Sequence, residues 1–312
     1  MGVKLIVAVT DRDWFDHLRK RPHLAEVNFW APSASPFKAL QPGELFLFKL
    51  HSPHNFIVGG GVFAHANELP CSLAWEAFGE ANGARTLAEM RTRIARYRRA
   101  ESNDRSDFKI GCRILTQPFF LGEPEWIAVP ESWASNIVKF KTYSTDGGDG
   151  LVLWNAVEAR NPFQLSSGFA ENQSEAIKQP RFGEPSLVRP RLGQGAFRVV
   201  VTDMYKRSCV VTGERTLPAL DAAHIRPYGD GGTHERSNGL LLRRDLHKLF
   251  DDGYVTVAPD QAFVVSKKIK EEFENGRHYY ALHGTRISPP DHSAGRPDPA
   301  ALRWHNENRF RE

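Results

Sequence analysis

The first half of the chain alternates short apolar runs with polar breaks, a pattern that predicts mostly β-strands. Residues 3–10 form an apolar run of strand length, and residues 11–20 have the spacing of a short amphipathic helix. The runs at 43–50 and 55–65 flank a short polar segment, so they predict a β-hairpin. Further strand-like runs are EVNFW (26–30), DFKIGCRILTQPFFL (107–121) and EWIAVPESW (125–133). This half is therefore expected to be built around a β-sheet.

Helical spacing of apolar residues appears elsewhere in the chain. Residues 73–78 and 86–99 have apolar positions three and four residues apart, which predicts two helices. Residues 151–159 fit a short helix or a strand equally well. Residues 161–195 are rich in Pro, Gly, Ser and Gln without a sustained period, which is typical of an interdomain linker. Another helix is expected over 196–207.

These changes of pattern suggest how the 312 residues are organised. A chain of this length favours two domains. We place the first domain at 1–160, the linker at 161–195, the second domain at 196–290 and a C-terminal tail at 291–312. The tail, rich in Pro, Arg and Asp, is either a loosely packed extension or a segment that contacts a partner.

Composition and charge narrow the class of protein. Apolar residues make up 41% of the chain and charged residues 25%, as in ordinary globular proteins. The first apolar run is too short for a signal peptide or a spanning helix, so we expect a cytoplasmic protein without membrane contact. The net charge is +4, and the positive excess lies in 181–312. That bias suits a phosphate-containing partner, although a solvated basic face would produce it too.

The candidate chemistry lies in residues 222–257, AAHIRPYGDGGTHERSNGLLLRRDLHKLFDDGYVTV. His224 stands where an apolar run enters a Gly-rich loop, and a neutral imidazole can take a proton from an attacking water. His247 and Asp251 are four residues apart on the next predicted helix, so they face the same side. Such a pair presents one nitrogen and one oxygen to a common point, which is a reasonable half-site for a divalent cation. Taken singly, His224 could be structural and Asp251 could simply end a helix.

This stretch resembles the HNH (ββα-metal) endonuclease family. In the similar members a strand ending in Ala-His-Ile continues through Ser-Asn-Gly-Leu-Leu-Leu to a helix carrying Leu-His-Lys-Leu-Phe-Asp. The resemblance covers about residues 186–265. It implies that His224 is the general base, that Asn238 fixes the loop and orients His224, and that His247 binds a catalytic divalent metal, Mg²⁺ or Mn²⁺.

The remaining metal ligands follow less directly from the family pattern. Many members have a ligand immediately before the catalytic histidine, but this chain has Ala223 there. We therefore predict Asp251 as a second ligand and Asp221 as a candidate third ligand. Relatives with a structural zinc use paired Cys-x-x-Cys motifs, which Cys209 lacks, so no structural zinc is expected. Basic residues expected to contact DNA phosphates are Arg226, Arg243, Arg244 and Lys248.

Residues 40–65, LQPGELFLFKLHSPHNFIVGGGVFAH, resemble the PUA superfamily, which includes EVE, ASCH and SRA-type domains. The resemblance extends over about 1–158 and implies a small β-barrel. In the SRA and EVE branches such a barrel takes a modified base, often flipped from the duplex, into an aromatic pocket. We expect Trp30 to line this pocket, although most aromatic residues of a small barrel belong to its core. Polar residues expected to contact the base edge are His51, His54 and Asn55.

The sequence thus predicts an α+β protein with an N-terminal PUA-like β-barrel, flanking helices and a C-terminal ββα-metal HNH nuclease domain. The predicted function is a modification-dependent restriction endonuclease that recognises a modified base, a substituted cytosine, and cleaves double-stranded DNA. Cleaving two strands needs two active sites, so a homodimer is expected. One alternative is an HNH endonuclease or nickase for unmodified or structured DNA, with the barrel as a general DNA-binding module. The other is a non-catalytic DNA-binding protein that has lost its metal through Ala223.

Overall fold

The structure of the protein, a computed structural model, describes most of the chain. The described residues are 2–21, 23–99, 106–160, 185–188 and 190–312. They form two compact units, Met1–Leu192 (unit 1) and Gly193–Glu312 (unit 2). Residues 161–184 and 189, which make up most of the predicted linker, lie outside the described residues.

Unit 1 is built on a seven-stranded sheet. Its strands are β1 (Lys4–Thr10), β2 (Glu26–Ala31), β3 (Leu45–Leu50), β4 (Phe56–Pro70), β5 (Lys109–Phe120), β6 (Ile127–Ala128) and β7 (Phe140–Ser144). Their order is β2-β5-β4-β3-β1-β7, and β6 pairs with β4 outside this path. Strands β1 and β3 pair in parallel, whereas β3 and β4 form the antiparallel hairpin predicted from the sequence.

Helices cover both faces of this sheet. Those described in unit 1 are α1 (Arg12–Arg19), α2 (Cys71–Phe78), α3 (Leu87–Arg98) and α4 (Gly148–Arg160). Alternate residues of a strand point to opposite faces. Accordingly, Leu5 of β1 shares an apolar core with Trp154 of α4, whereas Ile6 shares another with Phe15 of α1. Burying each such side chain stabilises the fold by roughly 1.5–3 kcal/mol. The ambiguous run 151–159 is therefore a helix, α4.

The prediction of a mixed α+β fold is confirmed, but the closed barrel is not. Within the described residues the sheet is open, because no hydrogen-bonded ladder joins its end strands, β2 and β7. Apolar side chains on both faces of the sheet pack against covering helices, so this sheet does not need to close on itself to bury them.

Unit 2 contains a β-hairpin followed at once by a helix. Its elements are α5 (Gln194–Met204), β8 (Leu220–His224), β9 (Gly239–Arg243), α6 (Arg244–Asp251), β10 (Val255–Val257), β11 (Phe263–Val265), α7 (Lys268–Phe273), α8 (Arg277–Tyr280) and α9 (Pro299–Asn308). Strands β8 and β9 are antiparallel, and β10 pairs with β11. The order β8-β9-α6 is the ββα arrangement that the sequence predicted.

Helix α9 packs into unit 2, although it lies in the segment predicted as a tail. Leu302 belongs to the unit's apolar core, and His305 is 1% exposed. The His305 ring stacks on Phe250 at 3.7 Å between centroids, and its nitrogens lie 2.8 Å from Thr256 Oγ1 and 3.0 Å from the Phe250 carbonyl oxygen. The segment around α9 is thus a packed part of unit 2. None of the helices in the described part of the chain has the length and apolar character needed to cross a membrane.

Candidate active site

The hairpin β8-β9 and helix α6 position the predicted catalytic residues. His224, at the end of β8, lies opposite Gly239, and Asp221 lies opposite Leu242. A Cβ atom on Gly239 would lie only 2.5 Å from the Val201 side chain, so a glycine is needed where β9 passes α5. Because α6 begins directly after β9 and packs on the hairpin, His247 faces the same region as Asp221.

His224 is held by two aromatic rings. Its ring stacks on Phe197 with centroids 3.9 Å apart and planes 11° apart. Its Nε2 lies 2.9 Å from Nδ1 of His234, so one of these two nitrogens carries the shared proton. Burial, together with His234 and His247, lowers the pKa of His224 to about 4. The ring is therefore neutral at neutral pH, which is the form that can accept a proton.

Asn238 is buried and joins the two ends of the loop after His224. Its Oδ1 accepts a hydrogen bond from the Arg226 backbone N–H at 2.9 Å. Its Nδ2 donates to the carbonyl oxygens of Arg226 and Thr233, both at 2.8 Å. A fourth hydrogen bond runs from the Ile225 backbone N–H to the Asn238 carbonyl oxygen. The amide thus satisfies three backbone groups and fixes the loop close to His224.

His247 stands between two carboxylates. Its Nδ1 lies 3.2 Å from Asp221 Oδ2, and its Nε2 lies 3.3 Å from Asp251 Oδ2. Asp221 is also 3.2 Å from the Arg198 guanidinium, measured from Oδ1 to Nε. The imidazole therefore uses one nitrogen toward each carboxylate, and Arg198 neutralises part of the negative charge on Asp221.

The charges in this cluster shift each other's pKa values. Burial lowers the pKa of His247, but the hydrogen bond to Asp221 and the charge of Asp251 outweigh burial and raise it. Burial raises the pKa of Asp251, and the charge of His247 offsets only part of this increase. Burial also raises the pKa of Asp221, but the hydrogen bond to His247 and the charge of Arg198 lower it by more, so the pKa lies below the usual value. Asp221 is accordingly the more firmly ionised carboxylate of the two.

These side chains line one cavity in unit 2, with a volume of about 440 Å³. The lining residues are Gln194, Phe197, Arg198, Asp221, Ala222, His224, Pro227, Tyr228, His247, Asp251 and Arg309. The structure thus brings His224, His247, Asp221 and Asp251 together, with Asn238 behind the loop. In the described ranges, no three His, Cys, Asp or Glu side chains converge as the ligands of a metal ion do. His247 instead contacts Asp221 through one ring nitrogen and Asp251 through the other.

Three of the basic residues predicted to meet DNA phosphates lie on α6 or just before it. Arg243 pairs with Asp245 through Nε at 3.0 Å, and Lys248 pairs with Asp252 at 2.8 Å. Arg244 is exposed. Exposed ion pairs of this kind are weak, so a phosphate can compete for these cations.

Arg226, the fourth predicted contact, is turned inward. Its Nε donates to the Asp230 carbonyl at 2.7 Å, and its guanidinium lies 5.2 Å from the Trp304 ring centroid. Arg309 pairs with Asp230 at 2.5 Å. The loop after His224 is thus tied to helix α9 by Arg226 and Asp230.

Several residues of this site were not predicted from the sequence as part of it. Those that line the cavity or touch His224 are Gln194, Phe197, Arg198, Tyr228, His234 and Arg309. His234 had the pattern of an ordinary structural loop residue, yet it contacts His224 and stacks on Tyr228 with planes 7° apart. A signal was present for α5, because Phe197 and Arg198 adjoin the apolar stripe of a predicted helix.

Unit 1 contains a larger cavity, of about 630 Å³. Trp30 and His51 line it, together with other aromatic residues: Trp14, Phe29, Phe37, Phe46, Tyr97 and Phe140. Trp30 donates from Nε1 to the Asn82 carbonyl oxygen at 2.9 Å, which fixes its ring. The structure does not bring the other two predicted residues to this cavity. His54 lies against Arg12 and Trp126, and Asn55 accepts a hydrogen bond from Lys49 at 2.7 Å.

Comparison with known sequences identifies the C-terminal motif. Residues 209–258 match the family described as HNH endonuclease. None of the curated proteins compared with the chain matches it. The matched segment includes His224, Asn238 and His247, together with Asp221 and Asp251.

Comparison with solved structures finds similarity to two kinds of protein. One is ASCH from Zymomonas mobilis, with 10% identity and a TM-score of 0.33 over 48% of this chain and 94% of that chain. The other is the modification-dependent TagI restriction endonuclease, with 13% identity and a TM-score of 0.27 over 91% of this chain and 75% of that chain. The family match confirms the HNH resemblance recognised in the C-terminal sequence, and an ASCH protein and a modification-dependent restriction endonuclease are among the similar structures.

Proposed function

We propose that the protein is a modification-dependent DNA endonuclease whose unit 2 hydrolyses phosphodiester bonds and whose unit 1 recognises a modified base, a substituted cytosine. The observation that carries the nuclease assignment is the convergence of His224, His247 and Asp251 on one cavity within the segment that matches HNH endonucleases. The partner is double-stranded DNA, cut by a homodimer with one active site for each strand.

In this proposal His224 is the general base. Its low pKa keeps the ring neutral, so it can take a proton from a water that attacks the phosphorus. His234 stands at hydrogen-bond distance from His224 Nε2 and can relay that proton outward. Asn238 positions the loop between the two histidines.

The donor set at His247 fits a divalent cation such as Mg²⁺ or Mn²⁺. It offers an imidazole nitrogen and carboxylate oxygens, and the carboxylate charges are only partly compensated by Arg198. His247 and Asp251 would hold the ion, and Asp221, which contacts Nδ1, would orient the His247 ring or add a third ligand. When bound, the cation neutralises charge that develops on the phosphate and the leaving oxygen. The cations Arg243, Arg244 and Lys248 would contact flanking phosphates, whereas Arg226, bonded to the Asp230 carbonyl, would hold the loop in place.

The role of unit 1 rests on its aromatic cavity. A volume of about 630 Å³ with aromatic walls suits a planar base removed from the stack. Trp30 is fixed by its hydrogen bond to Asn82 and offers one wall, and His51 offers a polar contact at the same cavity. His54 and Asn55 lie outside this cavity lining and would contact the DNA backbone rather than the base.

The experiment uses matched duplexes that carry plain cytosine, 5-methylcytosine, 5-hydroxymethylcytosine or 5-carboxylcytosine at one position. The full-length protein is incubated with each and with Mg²⁺ or Mn²⁺, and His224→Ala is the control. We expect at least one modified duplex to be cut about tenfold faster than the plain one, a difference of 1.4 kcal/mol in transition-state binding. Equal cleavage of all duplexes would leave an endonuclease without modification dependence. No cleavage of any would leave a DNA-binding protein.

A further inference from the structure

An arginine lies within the sheet of unit 1, on the wall of its cavity. Arg113 is in β5, the strand between β2 and β4, where it pairs with Phe29 on one side and Ala66 on the other. Its side chain is only 7% exposed, yet it lines the cavity with Trp30. Arginine is rarely so buried without a charged partner, because removing a guanidinium from water is costly.

The described residues supply Arg113 with few partners. Its Nη1 donates to the Gly111 carbonyl oxygen at 2.9 Å, and its guanidinium lies 5.2 Å from the Phe37 ring centroid. Within the described part of the chain no carboxylate forms an ion pair with it, and burial lowers its pKa. The guanidinium has five N–H donors, so most of its hydrogen-bonding capacity is left for a molecule in the cavity.

The acidic residue of the cavity lining is already engaged. Asp11 accepts a hydrogen bond from the Tyr97 hydroxyl, and its Oδ1 lies 3.5 Å from His51 Nε2. Two exposed lysines, Lys38 and Lys139, also line the cavity. The lining therefore has three cationic side chains against one carboxylate, and its buried cation is Arg113.

We propose that Arg113 is the receptor for a carboxylate carried by the base that enters this cavity, so that the preferred ligand is a carboxylated pyrimidine. The proposal rests on the proposed function of unit 1 and names its substrate class. A carboxylate matches the planar fork of arginine with two parallel hydrogen bonds, and it supplies the counter-charge that the buried guanidinium lacks. A methyl or hydroxymethyl substituent carries no charge, so it would leave the positive charge of Arg113 uncompensated. Lys38 and Lys139, being exposed, suit the phosphates of the nucleotide that carries the base.

The test is a binding measurement on a variant in which we expect cleavage to be abolished. The full-length His224→Ala variant is titrated with duplexes that differ at one base: cytosine, 5-methylcytosine, 5-hydroxymethylcytosine or 5-carboxylcytosine. We expect the Kd for the carboxylated duplex to be at least about tenfold below the other three, as a charge-assisted hydrogen bond implies. Adding Arg113→Met should abolish this preference, and Arg113→Lys should retain part of it. The matched control is Arg85→Met, because Arg85 has an 80% exposed side chain outside the cavity lining and its loss should not affect the preference.

Each outcome decides the assignment. Preference for the methylated or hydroxymethylated duplex would overturn the carboxylate proposal but keep the proposed modification dependence. Equal affinity for all four duplexes would overturn both. A preference for the carboxylated duplex that survives Arg113→Met in a variant with the parent's thermal unfolding temperature would overturn the role of Arg113. If Arg113→Met does not fold, Arg113→Lys and the ligand series on the parent still decide.

Discussion

The two cavities of the molecule differ in how their charges are arranged. In unit 2 the imidazole of His247 lies within 3.3 Å of two carboxylates, one of which also contacts Arg198. In unit 1 aromatic rings dominate, and Arg113 has a backbone carbonyl and a ring as its partners within the described residues. A network of mutually paired acids and bases suits proton transfer and cation binding. A buried, incompletely paired cation among aromatic walls suits recognition of a planar acidic ligand.

The largest expected effect separates chemistry from binding. His224→Ala should lower the single-turnover cleavage rate by about 10²–10⁴-fold, because it removes the proposed general base. Affinity for the same duplex should change little, since we assign recognition to unit 1 in the proposed function. The matched control is His278→Ala, an exposed histidine of α8, which should cleave at the wild-type rate. If His224→Ala still cleaved DNA at the wild-type rate, His224 would not be the general base.

Acid unfolding tests the packing that supports the unit 2 cavity. Burial lowers the pKa of His305 to about 4, whereas a histidine in the unfolded chain titrates near 6.5. The unfolded state therefore binds the proton first, and the stability that neutral His305 provides is lost as pH falls from about 6.5 toward 4. The expected loss in free energy of unfolding is about 3 kcal/mol over this interval.

Denaturant unfolding at several pH values measures this loss, with His305→Gln as the reference. The variant has no imidazole at this position, so its stability should depend less steeply on pH between 6.5 and 4. Parallel curves for the two proteins would show that His305 does not cause the loss.

The proposed cation site can be tested by comparing two adjacent aspartates. Asp251→Asn should raise the Mg²⁺ or Mn²⁺ concentration for half-maximal cleavage by roughly 10–100-fold, because it removes a proposed ligand. Asp252→Asn is the matched control, since Asp252 pairs with exposed Lys248 and should leave the metal requirement unchanged. Equal shifts in both variants would indicate a general loss of negative charge rather than loss of a ligand.

The smallest expected effect concerns the aromatic wall of unit 1. Trp30→Ala should reduce discrimination between modified and plain duplexes by about tenfold, because stacking on an aromatic ring is worth roughly 1–3 kcal/mol per base. Trp30→Phe keeps a ring but loses the hydrogen bond to Asn82, so it should retain most of the discrimination. Affinity ratios from competition binding measure both. If Trp30→Phe reduced discrimination as much as Trp30→Ala, the hydrogen bond to Asn82 rather than stacking would be responsible.

Much of the fold, and the central residues of the candidate site, could be predicted from local sequence patterns. The β8-β9-α6 order follows from short-range signals, and His224, Asn238 and His247 belong to one continuous motif. The contact of His224 with Phe197 could not be predicted, because it depends on how α5 packs on the hairpin. The same is true of the contact between His224 and His234, which depends on the path of a loop.

Unit 1 was less predictable because its cavity combines distant strands and loops. Trp30 comes from β2, Arg113 from β5 and Phe37 from the segment after β2, and no spacing in the sequence relates them. The open sheet likewise depends on which strand edges pair, and hydrophobic alternation does not specify this.

The most direct test of the division between the two cavities measures binding and cleavage together on one pair of duplexes, modified and plain. We expect His224→Ala to lose cleavage while its affinity ratio for the pair stays at the wild-type value. We also expect Trp30→Ala to lose the affinity ratio while still cutting DNA in the presence of Mg²⁺ or Mn²⁺. If each variant loses discrimination and cleavage together, or if His224→Ala still cuts, the assignment of recognition to unit 1 and hydrolysis to unit 2 is wrong.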